Sequence, residues 1–165
     1  MLVKFFNMGL INMAETMGSL IDKLIITKIR EWHIKTNDKY SKLRSGKLNI
    51  VIEEKNDLIL EIDEVLKKCI RGEIKIKRPK VKLYCSQNRE LNQDKIHMGR
   101  LIEKLAETNM ALWNLEDEAR RTDVDLSYIG RIKQKIDKAN IQRNDLIDQI
   151  DETFEEKILE IIKNK

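Results

Sequence analysis

The chain has 165 residues, of which 36% are charged and 41% apolar, with a formal net charge of +4, one proline and six glycines. This composition is too apolar for a disordered chain and too poor in turn formers for a linker-rich or turn-dense all-β protein. No apolar run reaches about 18 residues, so no membrane span is expected.

Residues 1–13 are apolar but are broken by Lys4, Asn7 and Asn12 and lack a small-residue cleavage site, so they read as a lead-in rather than a signal peptide. A first helix is expected from about Asn12 into the late thirties, with Asn12 and Glu15 spaced as a capping box. A second covers about 47–71, with its start left between Thr36–Asn37 and Ser45–Gly46, and it stops at Gly72, suited to a left-handed C-cap. Residues 72–85, GEIKIKRPKVKLYC, carry the only proline and alternate apolar with basic side chains. They read as an extended connector pinned by Ile74, Ile76, Val81 and Leu83, with a short β-ribbon used in dimerisation as the alternative. A third helix is expected over about 86–121 and a fourth over about 125–162, with Thr122, Asp123 and Asp125 as candidate caps.

The sequence repeats internally. MGSLIDKLIITKIREWH (17–33) aligns with MGRLIEKLAETNMALWN (98–114) at eight of seventeen positions, and KNDLILEIDE (55–64) with RNDLIDQIDE (143–152) at seven of ten. The offset grows from 81 to 88, which places seven extra residues near 121–127. The expected fold is all-α: one domain over 1–165, a four-helix bundle built from two duplicated αα-hairpins, about 12–71 and 93–163, with pseudo-twofold symmetry.

At 100° per residue the stripe of the first helix (Met13, Met17, Leu20, Ile21, Leu24) runs on into Thr27, Lys28 and Glu31, with Trp32 at its edge. The third helix repeats this with Met98, Leu101, Ile102 and Leu105, then Thr108, Asn109, Leu112 and Glu116, with Trp113 and Arg120 at the edge. The apolar face of the fourth helix (Ile129, Ile132, Ile136, Ile147, Ile150, Phe154, Ile158, Ile161) is flanked by Lys133, Asn140, Asn144 and Asp151, with Arg143 beside them; Asn56 and Asp63 repeat the Asn144–Asp151 pair. Burying such groups unpaired costs about 1–3 kcal/mol each. Thr27 and Thr108 are expected to bond their own helix backbone; the other fourteen polar and tryptophan residues form a candidate ligand site for a polar, anionic molecule held against the tryptophans. The competing reading is a structural network that fixes helix register.

The positive charge is local: Lys67–Lys82 holds eight basic residues and one acid, +7, leaving −3 elsewhere. This segment suits an acidic protein or an anionic small molecule. Nucleic-acid binding ranks last because Tyr84 is the only aromatic nearby. Cys69 and Cys85 make neither a disulfide framework nor a zinc motif, which points to a reducing, cytoplasmic setting. His33 and His97 stand alone, without the paired Glu-x-x-His of di-iron bundles, and no phosphate loop or nucleophile elbow is present. No metal, cofactor or catalytic group is assigned.

LWNLEDEAR (112–120) followed by KIDKANIQRNDLIDQID (135–151) resembles a bacterial family of short all-helical proteins of unknown function, the signature falling on Asn140, Arg143, Asn144, Asp145 and Asp151. The resemblance lies mainly in the second half; it implies an all-helical fold and a bacterial source and brings no activity. A weaker similarity is to the all-helical chorismate mutases, with Lys28, Lys133, Arg120 and Arg143 as the available cations; the first-helix arginine pattern of those enzymes is missing. The expected function is that of a non-catalytic binding or accessory bundle, with a homodimer left open. The alternative is a binder of, or enzyme acting on, a small anionic metabolite on the pseudo-twofold axis.

Overall fold

The computed structural model describes residues 15–36, 44–74, 76 and 97–164. Four helices form: α1 (Met17–Thr36), α2 (Arg44–Arg71), α3 (Met98–Ala119) and α4 (Leu126–Lys163). They pack as a four-helix bundle, and none of the described helices is long and apolar enough to cross a membrane.

Local chemistry sets the ends. Asn12 and the rest of the lead-in lie outside the described residues. α1 begins behind Thr16, whose Oγ1 accepts from the Ser19 backbone N–H at 3.2 Å, while Ser19 Oγ donates to Glu15 at 2.6 Å. A second first-turn amide, Gly18 N–H, donates to Asp151 Oδ1 of α4 at 2.6 Å, so a distant helix caps α1. α2 starts a little before the expected position, and it ends as expected. Gly72 has φ 72°, and Glu73 N–H and Gly72 N–H return to the Lys68 and Cys69 carbonyls at 3.0 Å each, a Schellman closure. α3 does not run continuously from about 86 as expected: His97 is extended and caps a helix that begins at Met98, and residues 86–96 lie outside the described residues. Of the three candidate caps of α4, Asp125 is the one used: its carboxylate accepts from Tyr128 N–H at 2.6 Å and from Ser127 Oγ at 2.7 Å. Ile74 is buried and Ile76 packs against the same cluster at the bundle base. Val81, Leu83, the ribbon alternative and most of the basic segment fall outside the described residues.

The core has three levels. At the base α1, α2 and α4 meet through Met17, Leu20, Leu58, Val65, Cys69, Phe154 and Ile158, and the partly buried Met98 of α3 packs against them. In the middle, Leu101, Leu105, Leu146 and Ile150 pack with Ile21 and Ile25, so only α1, α3 and α4 take part. At the top, Leu112, Ile132 and Ile136 join α3 to α4 alone. The bundle is closed at one end and forked at the other. Ile161, expected on the apolar face, is 43% exposed because the last turn of α4 passes beyond the base core.

The contacts are not twofold. α1 lies against α4, whereas the equivalent pair, α2 and α3, does not touch among the described residues. The matched glycines show the same break. A Cβ on Gly18 would collide with the Ile147 carbonyl oxygen and lie 3.0 Å from Asp151 Oδ1, while a Cβ on Gly99 would meet nothing within 4 Å. Gly18→Ala is therefore expected to destabilise by about 1–3 kcal/mol, as overpacking against backbone does. Gly99→Ala should be neutral or stabilising by about 0.5 kcal/mol. Paired urea titrations check this; equal effects would show that α1 and α4 are not in close approach.

Candidate functional site

α1 presents Gly18, Asp22 and Ile25 at helical spacing on the face that meets α4. Asp22 is thereby carried into the interior, at 3% exposure. An ionised carboxylate there must be paired. Asp22 accepts from Arg143 Nε at 2.9 Å and from Arg143 Nη2 in a bidentate contact, and from Asn109 Nδ2 at 2.8 Å. One residue each from α1, α3 and α4 thus forms a three-helix clip. Asp22 also holds the Arg143 guanidinium more firmly protonated than usual, against the opposing effect of burial.

Just beyond the clip α4 leaves α1, and a groove opens between the diverging helices. Its volume is about 280 Å³, and it is lined by Ile26, Asn109, Leu112, Trp113, Glu116, Arg120, Asn140 and Arg143. Asp22 stands behind this lining. The i, i+3, i+4 and i+7 spacing of α3 brings Asn109, Leu112, Trp113 and Glu116 to one side, and Asn140 and Arg143 are one turn apart on α4. Trp113 is braced by His33, whose ring stacks on it at 4.5 Å and 13°, with Trp32 edge-on to His33 at 4.7 Å. The buried His33 Nε2 has no hydrogen-bond partner among the described residues. Arg120, at the rim, pairs with Asp117 at 2.9 Å and Glu116 at 3.9 Å.

Six of the fourteen candidate residues therefore meet in one groove: Asn109, Trp113, Glu116, Arg120, Asn140 and Arg143. The others do not. Lys28 and Glu31 sit on the α1–α2 side. Glu31 is buried and gathers Lys28 at 2.9 Å, Lys35 at 2.6 Å and Lys55 at 3.6 Å. Trp32 is 54% exposed and outside the lining. Asn56, Asp63, Lys133 and Asn144 were expected to point inward and are exposed instead. The α2–α3 contact that would cover the first pair is absent, and α4 turns Lys133 and Asn144 outward to keep Leu146, Ile150, Ile132 and Ile136 buried. Asp151 caps α1. Among the described residues no group of three or more His, Cys, Asp or Glu is placed to hold a metal ion.

Asp22 and His33 were missed by sequence reasoning. Asp22 had a signal, an acid set among Gly18, Ile25 and Ile29 on one helical row. It was obscured because its repeat partner, Glu103, is exposed and paired with Arg100. At the aligned positions the contacts differ: Lys55 reaches Glu31 within its own hairpin, while Arg143 reaches across to Asp22 of the other.

Residues 99–165 match the family described as protein of unknown function (DUF4254). The match covers α4 and nearly all of α3, and with them every groove residue except Ile26. Asp22, which clamps Arg143, comes from outside the DUF4254 segment. Neither a curated protein nor a solved structure matches the chain.

Glu31 makes a separate prediction. Hydrogen bonds from Lys35 and then Lys28, outweighing burial, hold its carboxyl down to about 2 from an ordinary 4.5. A depressed carboxyl stabilises the fold above its unfolded value, and that contribution is lost as pH falls through the folded one. Wild type should lose this stability between about pH 4.5 and 2. Glu31→Gln should flatten that part of the curve, as followed by helical circular dichroism in urea at stepped pH.

Proposed function

We propose that this protein binds a small anionic organic molecule in the groove between α3 and α4, at the fork of the bundle. The observation that carries this reading is the convergence of two arginines, two side-chain amides, one carboxylate and a braced tryptophan on a single concavity of about 280 Å³. Small-molecule sites have this make-up: an apolar wall with a few placed polar groups, at the junction of elements. Leu112, Ile26 and the Trp113 ring supply the apolar wall. Arg120 and the outward end of Arg143 receive negative charge, and Asn109 and Asn140 receive hydrogen-bonding groups. Asn140 is partly exposed in the lining, where its amide can meet a ligand.

A thermal-shift series with small carboxylates, phosphate and sulfate esters and their neutral analogues tests this. A ligand at 100 times its Kd adds about 2.7 kcal/mol, several degrees for a domain of this size at roughly 2–4 °C per kcal/mol. The shift should vanish in Trp113→Ala and Asn140→Ala, each compared with its own unliganded melt. It should survive in Asn144→Ala, whose side chain is exposed away from the groove. No shift with any anion, or a shift that survives Trp113→Ala, would contradict the reading.

A further inference from the structure

The groove holds two cations, and neither is free to act as a bare charge. Arg143 gives the Nε–Nη2 edge of its guanidinium to Asp22. That edge is the fork which grips carboxylates and phosphates bidentately. Three of the five Arg143 donors, the two Nη1–H and the second Nη2–H, remain for an occupant of the groove, so contact there is made with the end of the guanidinium. Arg120 is shared with Asp117 and Glu116. The charges of the lining together with Asp22 cancel, because Arg120 and Arg143 face Glu116 and Asp22. A single negative charge meets outward-pointing N–H groups and modest repulsion. A dianion meets the same donors with twice the repulsion from Asp22 and Glu116, in a half-buried setting where such charges are poorly screened.

We infer that Asp22 sets the charge selectivity of this groove, fitting it to small organic carboxylates rather than phosphate dianions. The inference rests on the reading of the groove as an anion site. Asp22 acts through Arg143 and is a positioning residue: it fixes which edge of the guanidinium faces the ligand and how much net charge the ligand sees. It also accepts from Asn109 Nδ2 and so holds that amide beside Arg143 in the lining.

Titration calorimetry with benzoate and phenyl phosphate, at about pH 8 where the phosphate monoester is a dianion, tests the inference. Wild type should bind benzoate more tightly. Asp22→Asn, which keeps the side-chain shape and releases the Arg143 fork, should move the ratio of the two Kd values about tenfold toward phenyl phosphate, the scale of one screened charge interaction. Asp22→Asn combined with Arg143→Gln removes both charges and should show no such gain. A merely structural Asp22 would change both affinities together and leave the ratio fixed. A wild-type preference for phenyl phosphate, or an unchanged ratio in Asp22→Asn, overturns the inference while the groove remains an anion site. Binding of neither compound to wild type overturns the anion-site reading and the inference with it. The wild-type preference is decisive alone if Asp22→Asn loses its helical signal.

Discussion

Asp22→Ala is expected to lower the free energy of unfolding by about 3 kcal/mol, the lower end of what breaking a buried ion pair costs. The lower end applies because the Arg143 side chain keeps 28% exposure against 4% for Asp22 and can turn part of its charge to water. Asn109 has no such escape: it is buried at 5% exposure, and its amide would lose Asp22 as acceptor. Asp22→Asn retains an oxygen for one donor and should cost less, about 1–2 kcal/mol. Urea midpoints with unchanged slopes would give both values. A loss under about 0.5 kcal/mol for Asp22→Ala, the range of ordinary surface changes, would mean that the clip does not hold the hairpins together.

Leu105→Ala should cost about 2–5 kcal/mol, as truncation in a closed core does. Leu105 has no exposed surface and stands at the level where α1 joins the α3–α4 hairpin, against Leu101, Leu146 and Ile150. Collapse around the void is resisted from three sides. Leu126→Ala, at 89% exposure in the first turn of α4, is the matched control and should change little. Equal costs at the two positions would contradict the three-level core.

The helices and their apolar faces were legible because the signals are local. Gly72, Asp125 and the Leu101–Leu105 stripe each act within a turn or two of chain, through backbone conformation, capping or 3.6-residue periodicity. The groove was legible in part. Asn109, Trp113, Glu116 and Arg120 share one face of α3 whatever packs against it, so periodicity placed them together. Asn140 and Arg143 were found by the same route on α4.

The inward placement of Asn56, Asp63, Lys133 and Asn144 did not follow, because it depended on a symmetric arrangement of the hairpins. Repeated sequence specifies repeated faces and leaves the docking of one hairpin on the other to residues in which the copies differ. Asp22 against Glu103, and Arg143 against Lys55, are two such differences. The shorter Asp22 is carried inward to Arg143, and the longer Glu103 stays at the surface with Arg100. A charge kept through the repeat was therefore no guide to its burial.

The central claim is that the groove between α3 and α4 is a binding site. Nitrogen-15 NMR of the labelled protein under benzoate titration tests it most directly. The account predicts saturable shifts of the Trp113 indole N–H and the Asn109 and Asn140 side-chain amides, with the exposed amides of Asn56 and Asn144 unmoved. Unmoved Trp113 and Asn140 signals, or equal drift of all five, would contradict it.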